Sequence, residues 1–185
     1  ELRTSTGRYV ERLVHYLQKI DDKNDYVILL KPNDVKGWQQ TNPRFKAVAS
    51  PYKEFTFAEQ LGFNKQVKSL GADLVHFAMV QQPILYRGKV VTTMHDLITC
   101  RFKNPSKNSF VFWIKQRVYI FVNKYVARKS KAVITPTNFV KNDVADFTGI
   151  KPEKITVTYE AADAIPDHVE ALPNLRGKDF IFYLG

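Results

Sequence analysis

An apolar run that halts at a histidine–aspartate pair, Val90-Val91-Thr92-Thr93-Met94-His95-Asp96-Leu97, constrains this chain more than any other feature. It reads as a buried strand whose carboxyl end delivers an imidazole and a carboxylate to the rim of a sheet. In open parallel α/β sheets, ligands bind outside the carboxyl ends of the strands. Two adjacent polar groups are costly in a core and useful in a cleft. His95, with Asp96 beside it, is therefore the first candidate for chemistry, because imidazole donates to a hydroxyl or phosphate and changes charge near neutrality. The competing reading is a histidine satisfied by a neighbouring carbonyl.

The remaining pattern alternates strand and helix. Val10, Leu13, Leu17 and Ile20 recur at helical spacing behind Gly7, with Thr4, Ser5 and Thr6 as candidate caps. Short β-branched and aliphatic runs predict strands at 25–30, 45–49, 73–77, 132–135 and 154–159, and helices are predicted at 57–70, 109–129 and 137–147, with a polar loop over 33–42. This alternation implies an α/β domain with parallel pairing through right-handed crossovers and a sheet covered on both faces. A strand is expected ahead of the helix at Gly7, central in such a sheet, and the chain begins after it. Glu1 is not a translation start, and 180–185 looks like an interrupted strand. Both observations suggest a piece of a longer protein.

Composition narrows the class. With 28 Lys and Arg against 18 Asp and Glu, the net charge is +10, so the surface should attract phosphate esters, anionic lipid or nucleic acid. No RNA-binding signature, zinc finger or helix-turn-helix is present, which disfavours nucleic acid. Apolar residues at 44% suffice for a core. No apolar stretch reaches the ~18 residues of a spanning helix, and no signal-peptide pattern opens the chain. The single cysteine, Cys100, excludes an intramolecular disulfide and cysteine-rich zinc sites, and fits a reducing cytoplasm.

Other constellations carry two readings each. Thr6-Gly7-Arg8-Tyr9 sits where a strand would turn into a helix; exposed amides and Arg8 suit an anion, or Gly7 merely permits a tight turn. Gly-x-Gly-x-x-Gly is absent, which disfavours a nicotinamide or flavin site. His76 also ends a strand, but its hydrophobic flanks favour a packed histidine. Thr137 reads first as an N-cap and second as a cleft hydroxyl. On 109–129, Val111, Ile114, Val118, Val122 and Tyr125 form a stripe expected to face the core. That leaves Phe112, Trp113, Tyr119 and Ile120 among Lys115, Arg117 and Lys124, a setting that suits an interfacial helix on anionic lipid. The alternatives are packing on another domain or subunit, or full burial.

Together, TGRY at 6–9, DLVHF at 73–77, VVTTMHDL at 90–97, AVITPTNFVKNDV at 132–144 and KPEKITVTYEAAD at 151–163 resemble the N-terminal half of a GT-B glycosyltransferase of the group 1, family-four retaining superfamily. The resemblance implies a Rossmann-like acceptor-side domain over 1–160, a linker over 161–178 and the first strand of a donor domain from 179 to 185. It implies transfer of a sugar from a nucleotide-diphosphate sugar to a glycan or lipid-linked acceptor, with retention and usually without a metal or other cofactor. His95 and Asp96 would serve catalysis, and Thr6, Gly7, Arg8, Tyr9, His76 and Thr137 substrate binding. The donor would be held mainly by the second domain, so this half alone should not turn over. Phe112, Trp113, Lys115, Tyr119 and Lys124 would touch the inner face of a membrane. A non-catalytic peripheral membrane or interaction module is the alternative. The segment Tyr159-Glu160-Ala161-Ala162-Asp163 departs from the family pattern by lacking a glycine.

Overall fold

A computed structural model describes residues 5–54, 56–102, 109–164, 175 and 177–181, with backbone alone at 109–112. Strand and helix alternate along it. The elements are α1 (Ser5–Ile20), β1 (Tyr26–Leu30), α2 (Pro32–Val35), β2 (Phe45–Ala49), a π turn (Glu59–Phe63) running into α3 (Asn64–Ser69), β3 (Val75–Phe77), β4 (Val90–Thr93), α4 (Ile98–Arg101), α5 (Ser109–Lys129), β5 (Ala132–Thr135), α6 (Asn138–Thr148) and β6 (Ile155–Val157). All pairings among the described residues are parallel. The α/β class and Rossmann-like alternation expected from sequence are present.

One expectation needs correcting. The strands form two sheets, a pair β1-β2 and a four-stranded sheet in the order β3-β4-β5-β6, with no ladder joining them among the described residues. The final strand also departs from expectation: residues 178–181 carry no strand, and 182–185 lie outside the described residues, as does most of the expected linker.

β4 explains why the four-stranded sheet is well defined. Val90, Thr92, Thr93 and Met94 are all buried, the continuous pattern of a strand covered on both faces. A threonine in that place must satisfy its hydroxyl. Thr92 does so by sharing a hydrogen bond with Ser130 Oγ (2.9 Å) and accepting one from Gln82 Nε2 (3.0 Å). The principal core gathers Met94, Leu97, Ala127, Val133, Val144, Ile150 and Ile155 between this sheet and helices α5 and α6. A second cluster, Val67, Phe77, Tyr86 and Val90, is joined by Leu29 and Phe63 from the β1-β2 side.

Both long helices are rotated relative to their sequence patterns. On α1 the buried positions are Val14 and Gln18, while Ile20 is exposed. Gln18 wins burial because it is hydrogen-bonded throughout, accepting from Thr41 N (2.9 Å) and donating to Gln39 O (3.3 Å). On α5 three of the residues expected inside are outside: Ile114, Val118 and Tyr125 are exposed and Val122 is half-buried at the cavity, whereas Asn123, Val126 and Ala127 are buried and Tyr119 and Ile120 pack on the core. This helix is apolar on two sides, so periodicity defines its faces without saying which is covered.

Candidate functional site

The carboxyl end of β4 opens into a cavity of about 220 Å³. Thr93 and His95 stand two residues apart and share one face of the extended chain. Both line the cavity, with Asp96, with Thr6 from the start of α1, with Met79 and Gln81 after β3, and with Val118, Tyr119, Val122 and Asn123 along α5. Polar groups come from the sheet rim and apolar ones chiefly from the helix. The cavity therefore has a chemical end and a hydrophobic wall.

His95 is held by three contacts. Its Nε2 lies 3.0 Å from the Ala78 carbonyl; a carbonyl only accepts, so Nε2 carries a proton and donates. Its Nδ1 lies 3.4 Å from Glu160 Oε1, and 24% of the side chain stays accessible. Tyr9 meets the ring edge-on at 4.9 Å between centroids. One nitrogen is thus satisfied by a carbonyl, and the other faces an exposed carboxylate that is not part of the cavity lining. A ligand reaching Nδ1 must compete with Glu160.

The structure brings several other predicted residues to the same place. Thr6 lines the cavity. The Tyr9 hydroxyl lies 3.4 Å from Thr93 Oγ1. His76 does not line the cavity but shares a 2.8 Å hydrogen bond with Thr93 Oγ1 from behind. Surrounding protein and then the nearby His95 hold the His76 pKa below its ordinary 6.5. Asp96 accepts from Ile98 N at 2.8 Å, tying the rim to α4. Gly7 follows Thr6 in the first turn of α1. Burial, with the Asp96 charge, raises the Cys100 thiol and keeps it protonated.

Three expectations change. Arg8 meets carboxylates: it donates to Glu11 Oε2 at 2.9 Å and to Asp163 Oδ2 at 2.5 Å, and these contacts raise its pKa further. Thr137 caps α6, its hydroxyl oxygen accepting from Val140 N at 3.1 Å, and it does not line the cavity. Tyr119 is half-buried against the core and the cavity, so it is not an outward membrane aromatic. Trp113 and Lys115 are exposed, and Lys124 is half-buried with its ammonium 5.1 Å from the Phe147 ring centroid. The side chain of Phe112 lies outside the described residues.

Sequence reasoning missed the carboxylates of the exit segment. Asp163 is gripped twice, by Arg8 and by Arg12 Nη2 at 2.5 Å. Acidic residues in a stretch that looked like a linker gave no signal of their own. Thr93 was findable, since period-two alternation puts it on the His95 face. Among the described residues no three His, Cys, Asp or Glu side chains cluster as metal ligands.

A parallel α/β domain with its crevice at the carboxyl ends of the strands is the framework of enzymes that bind nucleotides and sugars. The family model described as Glycosyltransferase Family 4 matches residues 6–164, and the chain belongs to that family as the N-terminal domain of a group 1 glycosyltransferase. Its general partners are accordingly a sugar donor and an acceptor. No curated protein matches the chain.

Proposed function

We propose that this domain forms the acceptor side of a retaining glycosyltransferase that moves a sugar from a nucleotide-diphosphate sugar to a glycan or lipid-linked acceptor. The observation carrying this reading is His95, which lines the cavity at the carboxyl end of β4 and is fixed there through Nε2 and Tyr9, with Nδ1 against the exposed Glu160 carboxylate. The cavity is smaller than the ~300–1,000 Å³ of drug-sized ligand sites, which suits one sugar ring better than a whole nucleotide sugar. Thr93, Asp96 and Asn123 supply polar groups around that ring, and Val118 and Val122 a face for its apolar side.

In this mechanism the acceptor hydroxyl enters beside His95, displacing Glu160 from Nδ1. The imidazole orients the hydroxyl and steadies the reacting sugar as its anomeric carbon gains oxocarbenium character. The opening turn of α1, which brings Thr6 to the cavity, presents the positive end of that helix to the donor diphosphate as it leaves. Bond formation to the acceptor oxygen and cleavage of the bond to the diphosphate occur on one face, the acceptor's proton passing to the departing diphosphate oxygen, giving retention. No metal is assigned a role, and the donor rests mainly on the second domain.

The test is nucleotide-sugar turnover by the full-length protein. His95→Ala and His95→Gln are expected to lower kcat by about 10²-fold or more, with thermal stability near that of the wild type. Full turnover by both variants would remove His95 from the chemistry.

A further inference from the structure

We propose that the cavity beside β4 recognises an uncharged, hydroxyl-bearing ring through two side-chain carbonyl oxygens, Gln81 Oε1 and Asn123 Oδ1, the first held in place by Glu59. Gln81 lines the cavity from the crossover between β3 and β4, and its Nε2 donates to Glu59 Oε2 at 2.6 Å. Asn123 lines it from α5, 4% exposed, and its Nδ2 donates to Tyr119 O at 2.8 Å. Carboxylate and carbonyl oxygens only accept, so each partner dictates that the nitrogen end of the amide meets it. In both residues the oxygen is the end left over. Neither oxygen takes a hydrogen bond from a described residue, and neither is sealed from solvent.

Glu59 is the positioning residue. It lies outside the cavity lining, in the π turn that leads into α3, and is 4% exposed. π turns are frequent at functional sites. Burying a carboxylate is costly, and fastening the crossover does not require it. The adjacent Gln60 already does so, donating to Gln82 O at 3.3 Å and accepting from Ile84 N at 3.0 Å. What the carboxylate adds is direction. An amide in its place could meet Gln81 by either end, whereas Glu59 admits only the nitrogen.

These oxygens select the ligand by its chemistry. Two acceptors fixed on different elements ask for two donating hydroxyls, and the Asp96 carboxylate at the same cavity adds negative charge. A carboxylate or phosphate on the ring would set acceptors against acceptors and charge against like charge. The occupant is therefore neutral, even though the chain as a whole carries +10. Resting on the transferase reading, this makes the sugar in the cavity a neutral unit rather than a uronic acid or a sugar phosphate. A site built around a substrate hydroxyl rejects the analogue lacking it, because its own polar groups are then stranded.

The experiment titrates the full-length protein with the methyl glycosides of glucose, galactose and mannose, their monodeoxyfluoro analogues and the matching methyl uronides, followed by ligand-observed NMR. Fluorine occupies the place of a hydroxyl but cannot donate. At least one glycoside should bind, and two of its fluoro analogues and its uronide should each bind about tenfold more weakly. In Gln81→Met one fluoro penalty should disappear, and in Asn123→Leu the other. Glu59→Gln should reproduce the loss seen in Gln81→Met while its circular dichroism spectrum is unchanged. No glycoside bound, a uronide bound as well as its parent, or fluoro penalties that persist in Gln81→Met and Asn123→Leu would overturn the proposal. A penalty left intact in Glu59→Gln would overturn the role of Glu59. Turnover of nucleotide sugars is read in parallel. Its absence beside intact, Gln81-dependent selection sinks the transferase reading alone, and its presence without that selection sinks the hydroxyl recognition alone.

Discussion

At the scale of single residues, the two histidines divide the work by their surroundings. His95 gives one nitrogen to the Ala78 carbonyl and sets the other against Glu160, while His76, exposed on β3 and hydrogen-bonded to Thr93, is pushed toward its neutral form by partial desolvation first and by His95 second. The sign of the consequence follows from linkage. A histidine whose folded pKa is lowered binds its proton first in the unfolded state, so stability is fully present above the ordinary value of 6.5 and declines as pH falls below it. Urea midpoints at pH 7.5 and 5.5 should show this decline in the wild type and a smaller one in His76→Gln. Identical pH dependence in the two proteins would dismiss an imidazole that the fold holds toward its neutral form. Asp21 works in the opposite chemical sense: hydrogen bonds from Asn24 and Tyr26 hold its carboxyl well below the usual range, so its contribution persists above the unfolded carboxylate value and fades as acid approaches the folded one.

At the scale of elements, α6 shows how closely local chemistry can specify structure. Thr137 supplies the N-cap oxygen, and Gly149 closes the helix at φ 72° with its N–H on Ala145 O at 2.8 Å. Each is a separate, local device. Thr137→Ala should cost about 1 kcal/mol through the lost cap, and Gly149→Ala about as much through the left-handed backbone. The two sites are a helix length apart, so thermal denaturation of the double variant should show near-additive losses; a marked shortfall would mean that one end already frays. Such signals are why α6 and β5 were legible within a residue or two. The faces of α1 and α5 were not, because periodicity reports a line of apolar residues and tertiary packing decides which line is covered. Gln18 outcompeted Ile20 by its hydrogen bonds, which no hydropathy pattern records. At the site, the β4 rim was readable from the abrupt stop at His95. The pairing of His95 with Glu160 and of Arg8 with Asp163 was not, since those contacts span 65 and 155 residues.

At the scale of the molecule, stability should be uneven. The four-stranded sheet shares one core with α5 and α6, whereas β1 and β2 have only each other as ladder partners among the described residues and reach the second cluster through Leu29 of β1. Stacking of Tyr26 on Phe45 at 4.2 Å supports the small sheet locally. Native-state amide exchange should therefore find β4 and β5 protected up to global unfolding, and β1 and β2 opening earlier as a separate cooperative unit. Uniform protection across both sheets would show that the division of ladders is not a division of stability.

The double grip on the chain after β6 has a mechanical meaning. Glu160 touches the imidazole and Asp163 is clasped by two guanidinium groups in the first half of the first helix, with two residues, roughly 10 Å of extended backbone, between the anchors. With only Ala161 and Ala162 between them, moving Asp163 out of that clasp also moves the segment that sets Glu160 against the ring. The exit segment thus works as a tether: the hold on its aspartate and the seat of its glutamate stand or fall together.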